Sequence, residues 1–257
     1  MLKLGVVPYL NALPLYRVLD VRDDIQIIAA VPSKLSQILE RGEVDVALLP
    51  VVEHFRGVGE TIISNSCIGC TREVQSVLLF SNVPFGEIKT VALDTSSRTS
   101  VALTNVILAD SFGLAPQFYN APPQLETMLR SCDAALLIGD PALLAAQNVP
   151  REQRVLDLGR AWFELTQLPF VFAAWVSRRG LQNSEEIVRL LDDARASGTS
   201  QIERLARDAS ETSPFSQETI ESYFRHNIEY SMTEAHRQGM EEFRRRCEFH
   251  GLLDSSL

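Results

Sequence analysis

The stretch of sequence that decides the fold is residues 2–31, LKLGVVPYLNALPLYRVLDVRDDIQIIAAV. Its apolar runs and its amphipathic middle alternate, and two further segments continue the alternation. In order, the predicted segments are a strand over 2–7, a helix near 13–19, a strand over 25–31, a helix over 33–40 and a strand over 44–49. Such alternation is typical of a parallel sheet covered by helices, so we predict an α/β fold.

The rhythm changes at residues 73–81, which predict a long strand that ends in the turn residues of 82–86. A second series then begins: strands over 90–93, 117–119 and 134–138, and helices over 99–109, 124–129 and 141–146. After a strand over 155–158, the apolar run 170–176 predicts a return. Two crossings predict two lobes joined by a hinge. The predicted division is 1–82 and 169–257 for the first lobe and 83–168 for the second.

The chain from Leu181 onward predicts a helical C-terminal region. Asn183 with Glu186 can cap a helix that Gly198 can end. Two apolar stripes at helical spacing predict core helices that pack back onto the first lobe. The stripes are Ile220, Tyr223, Phe224 and Ile228, and then Met240, Phe243 and Cys247.

Composition and charge narrow the class of partner. The 257 residues carry a formal net charge of -9, which opposes binding to nucleic acid or to an anionic membrane. The N-terminal apolar run lacks a small-residue cleavage site, and no uninterrupted apolar stretch reaches about 18 residues. We expect a cytoplasmic protein with a small-molecule partner. No oligomeric state follows from the sequence.

Two loops at predicted strand ends offer polar groups, and ligands gather at the carboxyl ends of parallel strands. The first, 8–14, holds Tyr9 and Asn11 between two prolines, and Asn11 could instead be a helix N-cap. The second, 94–100, places five hydroxyl residues before an apolar helix. Hydroxyls and free N–H groups at a helix N-terminus form a carboxylate or phosphate site, although capping also uses Ser and Thr.

Two weaker candidates follow. The segment 64–70 leads towards Ser76, which we place on the crossing strand facing the cleft. Asp140, between a strand and Pro141, is either an N-cap or a site residue. Cys67 and Cys70 could form a redox motif or half of a zinc site. Because no second pair completes a metal site, structural thiols are favoured.

The chain lacks the sequence motifs of several enzyme classes. Residues 83–168 contain no histidine, and the chain has no Ser-His-Asp order, Walker loop or dinucleotide-binding glycine fingerprint. A hydrolase, a kinase and a dehydrogenase are therefore disfavoured.

Segments spread along most of the chain resemble one family. They are Gly5–Ala12, Val74–Ser81, Asp94–Ser100, Leu136–Asp140 with Leu143 and Leu144, Asp157–Trp162, Leu165–Thr166 and Leu168–Val171. In these segments the chain resembles the chorismate dehydratase family of the futalosine route to menaquinone. The resemblance implies the two-lobed type II periplasmic-binding-protein-like fold. It also implies a hydro-lyase that converts chorismate to 3-(1-carboxyvinyloxy)benzoate without a metal or organic cofactor. The chain departs from the family's usual pattern at 69–71 and near Gln167, which leaves the fine shape of the cleft open.

The site expected from the residues and the resemblance has two parts. We expect Asn11 and Ser76 to be catalytic, orienting the substrate's side-chain carboxylate and its departing hydroxyl. The expected substrate-binding residues are Tyr9, Ser66, Gly69, Ser96, Ser97, Arg98, Thr99, Ser100 and Asp140. No side chain stands out as the base, so we predict that the enolpyruvyl carboxylate of the substrate removes the proton.

Two alternatives stay open from the sequence. One is a cytoplasmic protein that binds or senses a small anion, because folds of this kind also serve binding. The other is the sister enzyme 1,4-dihydroxy-6-naphthoate synthase, whose histidine base in the second lobe has no counterpart in residues 83–168.

Overall fold

The computed structural model describes residues 1–94, 98–150, 152–182 and 184–254. Within them the strands form two sheets. In spatial order the first sheet holds β11 (Glu229–Ser231), β4 (Ile62–Cys70), β10 (Phe170–Ser177), β3 (Val46–Pro50), β1 (Leu2–Val6) and β2 (Ile25–Ala29). The second holds β7 (Gln117–Ala121), β6 (Thr90–Asp94), β8 (Ala134–Ile138), β5 (Val77–Ser81) and β9 (Arg154–Asp157).

The helices follow the strands along the chain. They are α1 (Leu13–Tyr16), α2 (Pro32–Glu40), α3 (Val51–Phe55), α4 (Thr99–Phe112), α5 (Leu125–Ser131), α6 (Gly139–Ala146), α7 (Leu158–Thr166), α8 (Ser184–Ser200), α9 (Ile202–Ser210), α10 (Gln217–His226) and α11 (Glu234–Phe249). Short 3-10 turns lie over Leu10–Ala12, Arg17–Leu19 and Phe85–Glu87. The predicted α/β class and helical C-terminal region are confirmed. No helix in these described ranges is long and apolar enough to cross a membrane.

The first sheet is built around buried strands. β1 pairs in parallel with β2 and β3, and β10 returns antiparallel between β3 and β4. Every residue of β3 and β10 is buried, which explains why both read as continuous apolar runs rather than as alternating ones. The stripe residues Phe224 and Phe243 are also buried, as predicted.

The chain crosses between the sheets twice, as predicted, but the crossing strand is shorter than expected. The chain leaves β4 at Cys70 and enters β5 at Val77, and residues 71–76 between them form the first crossover. A strand cannot extend through this segment because Gln75 has a left-handed φ of 60°. The second crossover joins α7 to β10 through 167–169. The residue bounds of the two lobes stay a prediction.

Two local features differ from the sequence prediction. Residues 64–70, to which the sequence pattern assigns no strand, belong to β4, because β10 and β11 both pair with this strand. Helix α8 does not end at Gly198 but continues to Ser200. A Cβ atom at Gly198 would lie 2.0 Å from the Pro14 carbonyl oxygen, so glycine permits close packing there rather than helix termination. The predicted cap Asn183 lies outside the described residues.

Candidate active site

A cavity lies where residues from both sheets meet, with about 560 Å³ of empty space when its opening to solvent is included. Its walls are mainly apolar and include Ile68, Phe172 and Ile138. The expected site residues that line it are Tyr9, Asn11, Ser76, Arg98, Thr99 and Ser100. An apolar cleft with a few converging polar groups suits a small ring compound that carries charged substituents.

Asn11 lies in the 3-10 turn between β1 and α1 and caps no helix. The N-cap of that turn is Tyr9 and the N-cap of α1 is Ala12, neither with a side-chain cap bond. The Asn11 Oδ1 atom is buried and has no hydrogen-bond partner among the described residues. A buried acceptor without a partner costs about 1–3 kcal/mol, which a bound ligand can offset by donating to it.

Ser76 is fully buried at the end of the first crossover, beside Asn11. Its Oγ accepts a hydrogen bond from the hydroxyl of Tyr223 at 2.7 Å, and the Asn11 side chain hydrogen-bonds to the same hydroxyl. Burial raises the pKa of Tyr223, against the smaller lowering by these hydrogen bonds. The phenol therefore stays a donor. Because Ser76 accepts from it, the proton of Ser76 is available to another acceptor.

Sequence reasoning missed Tyr223 as part of the site. Its position in an apolar stripe of α10 predicted core packing, which is correct, but its hydroxyl joins Asn11 and Ser76 beneath the cavity. The available signal was the residue type, since a buried tyrosine hydroxyl usually finds a hydrogen-bond partner.

Helix α4 begins at the cavity with Thr99, after Arg98 as N-cap residue without a side-chain cap bond. Thr99 and Ser100 are buried, and Thr99 Oγ1 accepts from the backbone N–H of Val52 at 3.4 Å. The positive end of this 14-residue helix therefore faces the cavity, as an anion site requires. The expected residues Ser96 and Ser97 lie outside the described residues.

Asp140 connects the two sides of the cleft. Helix α6 begins at Gly139 after Ile138, so Asp140 is not its N-cap. Instead, Asp140 Oδ1 accepts from the backbone N–H of Leu10 at 3.2 Å, and burial raises the pKa of this carboxyl. Gly139 has φ 58°, and a Cβ there would lie 2.8 Å from Cδ1 of Tyr9. Tyr9 thus packs directly on the start of α6.

Ser66 and Gly69 do not line the cavity. Ser66 Oγ donates to Asp192 at 2.9 Å and accepts from Arg195 at 3.2 Å, on the side of β4 that faces α8. A Cβ at Gly69 would lie 2.8 Å from the Phe170 carbonyl oxygen. Their expected contact with substrate stays a prediction.

The two neighbouring thiols of β4 are buried. Burial raises the pKa of Cys67 to about 12 and the pKa of Cys70 well above its usual range. A thiol with a raised pKa is a poor nucleophile and a poor metal ligand. Among the residues described, no group of three or more His, Cys, Asp or Glu side chains could hold a metal ion. These observations favour structural thiols.

Comparison with known proteins gives the site a context. A family model described as menaquinone biosynthesis matches residues 2–249. The chain is 30% identical to the chorismate dehydratase of Thermus thermophilus, covering 93% of each chain. It is 28% identical to the chorismate dehydratase of Campylobacter jejuni over 66% of this chain and 64% of that protein.

Solved structures support the fold. Protein AF1704 from Archaeoglobus fulgidus superposes with a TM-score of 0.77 at 15% identity, covering 97% of both chains. The Candida albicans CA3427 gene product, which has the generic periplasmic binding protein fold, gives a TM-score of 0.65 at 14% identity. It covers 100% of this chain and 92% of that one. The predicted periplasmic-binding-protein-like fold is confirmed.

Proposed function

We infer that this chain, which belongs to the menaquinone biosynthesis family, acts as a chorismate dehydratase. One observation supports this most strongly: Asn11, Ser76 and the N-terminus of α4 line a single cavity with apolar walls. In the proposed reaction, a hydro-lyase elimination, chorismate loses its ring C4 hydroxyl and its C3 proton. The ring becomes aromatic, and the product is 3-(1-carboxyvinyloxy)benzoate.

The N-terminus of α4 is the proposed site for the ring carboxylate. Removing the C3 proton builds negative charge, which a ring alkene conjugates onto this carboxylate. Hydrogen bonds from donors to this carboxylate are therefore stronger in the transition state than in the ground state. That difference accelerates the reaction. Thr99, Ser100 and the N–H groups of the first turn supply such donors, and Arg98 adds positive charge.

Asn11 and Ser76 are proposed to orient the groups at the other end of the substrate. Ser76 can donate to the departing hydroxyl, because its oxygen already accepts from Tyr223. The buried Oδ1 of Asn11 can accept from the C4 hydroxyl of the substrate, and its NH₂ group can donate to the side-chain carboxylate. Both residues thereby hold the leaving group and the side-chain carboxylate in place without removing a proton.

The proposed base is the enolpyruvyl carboxylate of chorismate itself. It is tethered through oxygen to the carbon that loses the proton, and effective molarities of such arrangements reach about 10⁵–10⁸ M. Asp140 does not line the cavity, and its carboxylate accepts a hydrogen bond from the backbone of Leu10. The absence of a metal or organic cofactor stays a prediction of the resemblance, and a cytoplasmic location stays a prediction from the sequence.

The test is incubation of purified, metal-free protein with chorismate, followed by chromatography of the product. We expect conversion to the enolpyruvyl benzoate at a rate that EDTA leaves unchanged. Binding that raises the melting temperature without consuming chorismate would instead identify a binding or sensor protein. An analogue without the enolpyruvyl carboxylate should bind but turn over slowly, and its rapid turnover would exclude the substrate-derived base.

Matched serine variants locate the chemistry. Ser76 and Ser81 are both fully buried. Ser76 precedes β5, whereas Ser81 is its last residue and donates to the Val83 carbonyl away from the cavity. We expect Ser76→Ala to lower kcat far more than Ser81→Ala. Thr99→Ala should lower kcat/KM by roughly ten- to a hundredfold, the scale of a hydrogen bond to a charged group. Equal effects of the two serine changes would contradict the proposed site.

A further inference from the structure

The segment Asp157–Trp162 plays no part in the cavity, although it is one of the segments that carry the family resemblance. It forms the end of β9 and the first turns of α7. The structure places it against both crossovers between the lobes.

The carboxylate of Asp157 accepts hydrogen bonds from backbone N–H groups of two segments. Its Oδ1 accepts from Gly159 at 2.9 Å and from Arg160 at 3.1 Å, which caps α7. The same carboxylate reaches the first crossover, where Oδ1 accepts from Val74 at 3.1 Å and Oδ2 accepts from Gln75 at 2.7 Å. A helix cap needs only the first two bonds, so the bonds to the crossover require another explanation.

Gly159 brings the crossover and the helix into direct contact. A Cβ atom at this position would lie 2.5 Å from the Arg72 carbonyl oxygen and 2.5 Å from the Cys70 sulfur. Trp162, fully buried, donates from Nε1 to the Pro169 carbonyl at 3.3 Å, in the second crossover. Both crossovers are therefore fastened to the N-terminal half of α7.

The hydrogen bond from Gln75 to Asp157 lies one residue before Ser76 of the site. Gln75 is held at φ 60°, a left-handed conformation that is strained for a residue with a side chain. Ser76 follows immediately, and its carbonyl accepts from the Gly139 N–H at 2.7 Å. The direction in which Ser76 leaves the crossover thus depends on the conformation of Gln75.

We propose that Asp157 is a positioning residue for Ser76. By binding the N–H groups of Val74 and Gln75, its carboxylate holds the crossover in the strained conformation that points Ser76 at Tyr223 and the cavity. Asp157 touches no substrate. This inference rests on the proposed dehydratase reaction, in which Ser76 orients the leaving hydroxyl.

The decisive perturbation is Asp157→Asn. It keeps the size of the side chain but leaves one acceptor oxygen for four N–H groups, and its own NH₂ then faces a donor. A displacement of about 1 Å at a catalytic group can cost a hundredfold, so we expect kcat to fall by roughly ten- to a hundredfold with a smaller change in KM. The matched control is Asp133→Asn. Asp133 Oδ2 likewise accepts from two backbone N–H groups, of Lys89 and Thr90, at 2.9 and 3.0 Å, outside the crossovers.

The experiment is a double-mutant cycle on chorismate turnover with wild type, D157N, S76A and D157N/S76A. If Asp157 acts through Ser76, D157N/S76A is no slower than S76A within about twofold, and D133N keeps the wild-type kcat. The proposal would be overturned if the two single-variant losses in kcat multiply in D157N/S76A. Equal losses of kcat in D157N and D133N would also overturn it. If D157N does not fold, D157E takes its place in the cycle, since it keeps the charge and moves it by one methylene.

Hydrogen exchange of the backbone N–H groups in residues 71–76 separates this inference from the proposed function. We expect faster exchange there in D157N than in D133N, whether or not the wild type consumes chorismate. Unchanged exchange would reject the positioning role even in a fully active dehydratase, whereas a wild type inactive on chorismate would reject the function alone.

Discussion

The change Tyr223→Phe removes one oxygen atom from beneath the site. In the wild type this buried hydroxyl donates to Ser76 Oγ at 2.7 Å, and the Asn11 side chain also hydrogen-bonds to it. Removing a buried partner costs about 1–3 kcal/mol, because the groups left behind lose a hydrogen bond. In a chain of this size each kcal/mol lowers the melting temperature by about 2–4 °C. We therefore expect Tyr223→Phe to melt about 2–12 °C lower than the wild type.

The same change should lower kcat, because Ser76 and Asn11 both lose the group that aligns them. Calorimetry and chorismate turnover measure the two effects. Tyr230→Phe is the matched control, since Tyr230 is also buried but its hydroxyl has no hydrogen-bond partner among the described residues. That variant should keep the wild-type rate and be at least as stable as the wild type, because the change removes a buried hydroxyl that has no partner among those residues. A Tyr223→Phe protein that melts and turns over like Tyr230→Phe would refute the reasoning.

Three further predictions follow from packing and charge. Gly198→Ala should destabilise the protein by more than about 2 kcal/mol in denaturant unfolding, since its Cβ would lie 2.0 Å from the Pro14 oxygen, whereas Gly86→Ala, with open space around it, should not. Burial raises the folded-state pKa of Asp140, so its contribution to stability is fully present below its unfolded value of 3.8 and is lost as pH rises through the folded pKa. The free energy of unfolding of the wild type relative to Asp140→Asn should therefore fall as pH rises from acid, and a flat difference would contradict this. Cys67, whose pKa burial raises to about 12, should resist iodoacetamide in native protein and react after unfolding, as mass spectrometry can show.

The sequence predicts the parallel part of the fold well, because buried strands such as β8 contain only apolar residues between clear turns. The sequence does not predict β4, because Ser64 and Ser66 interrupt its apolar pattern. That segment is a strand because β10 and β11 pair with it, and these pairings join residues a hundred or more positions apart. Such long-range pairing overrides the local pattern.

The candidate site divides in the same way. Asn11, Ser76 and Thr99 follow strands or a crossover and could be predicted, since ligand sites gather at strand ends. The part played by Tyr223 could not, because it depends on how α10 packs beneath the cleft. Asp140 has the usual sequence context of a helix cap, and only the approach of Leu10 in three dimensions changes its role.

The place of β10 between β3 and β4 determines the order in which the chain can fold. The second sheet uses only residues 77–157, which are continuous in sequence, so it can form as soon as they have left the ribosome. The first sheet has a gap at its centre until residues 170–177 arrive, and it lacks its edge strand until residue 231. We expect the second sheet to fold first during synthesis. The N-terminal strands should keep unpaired edges until most of the chain has been made.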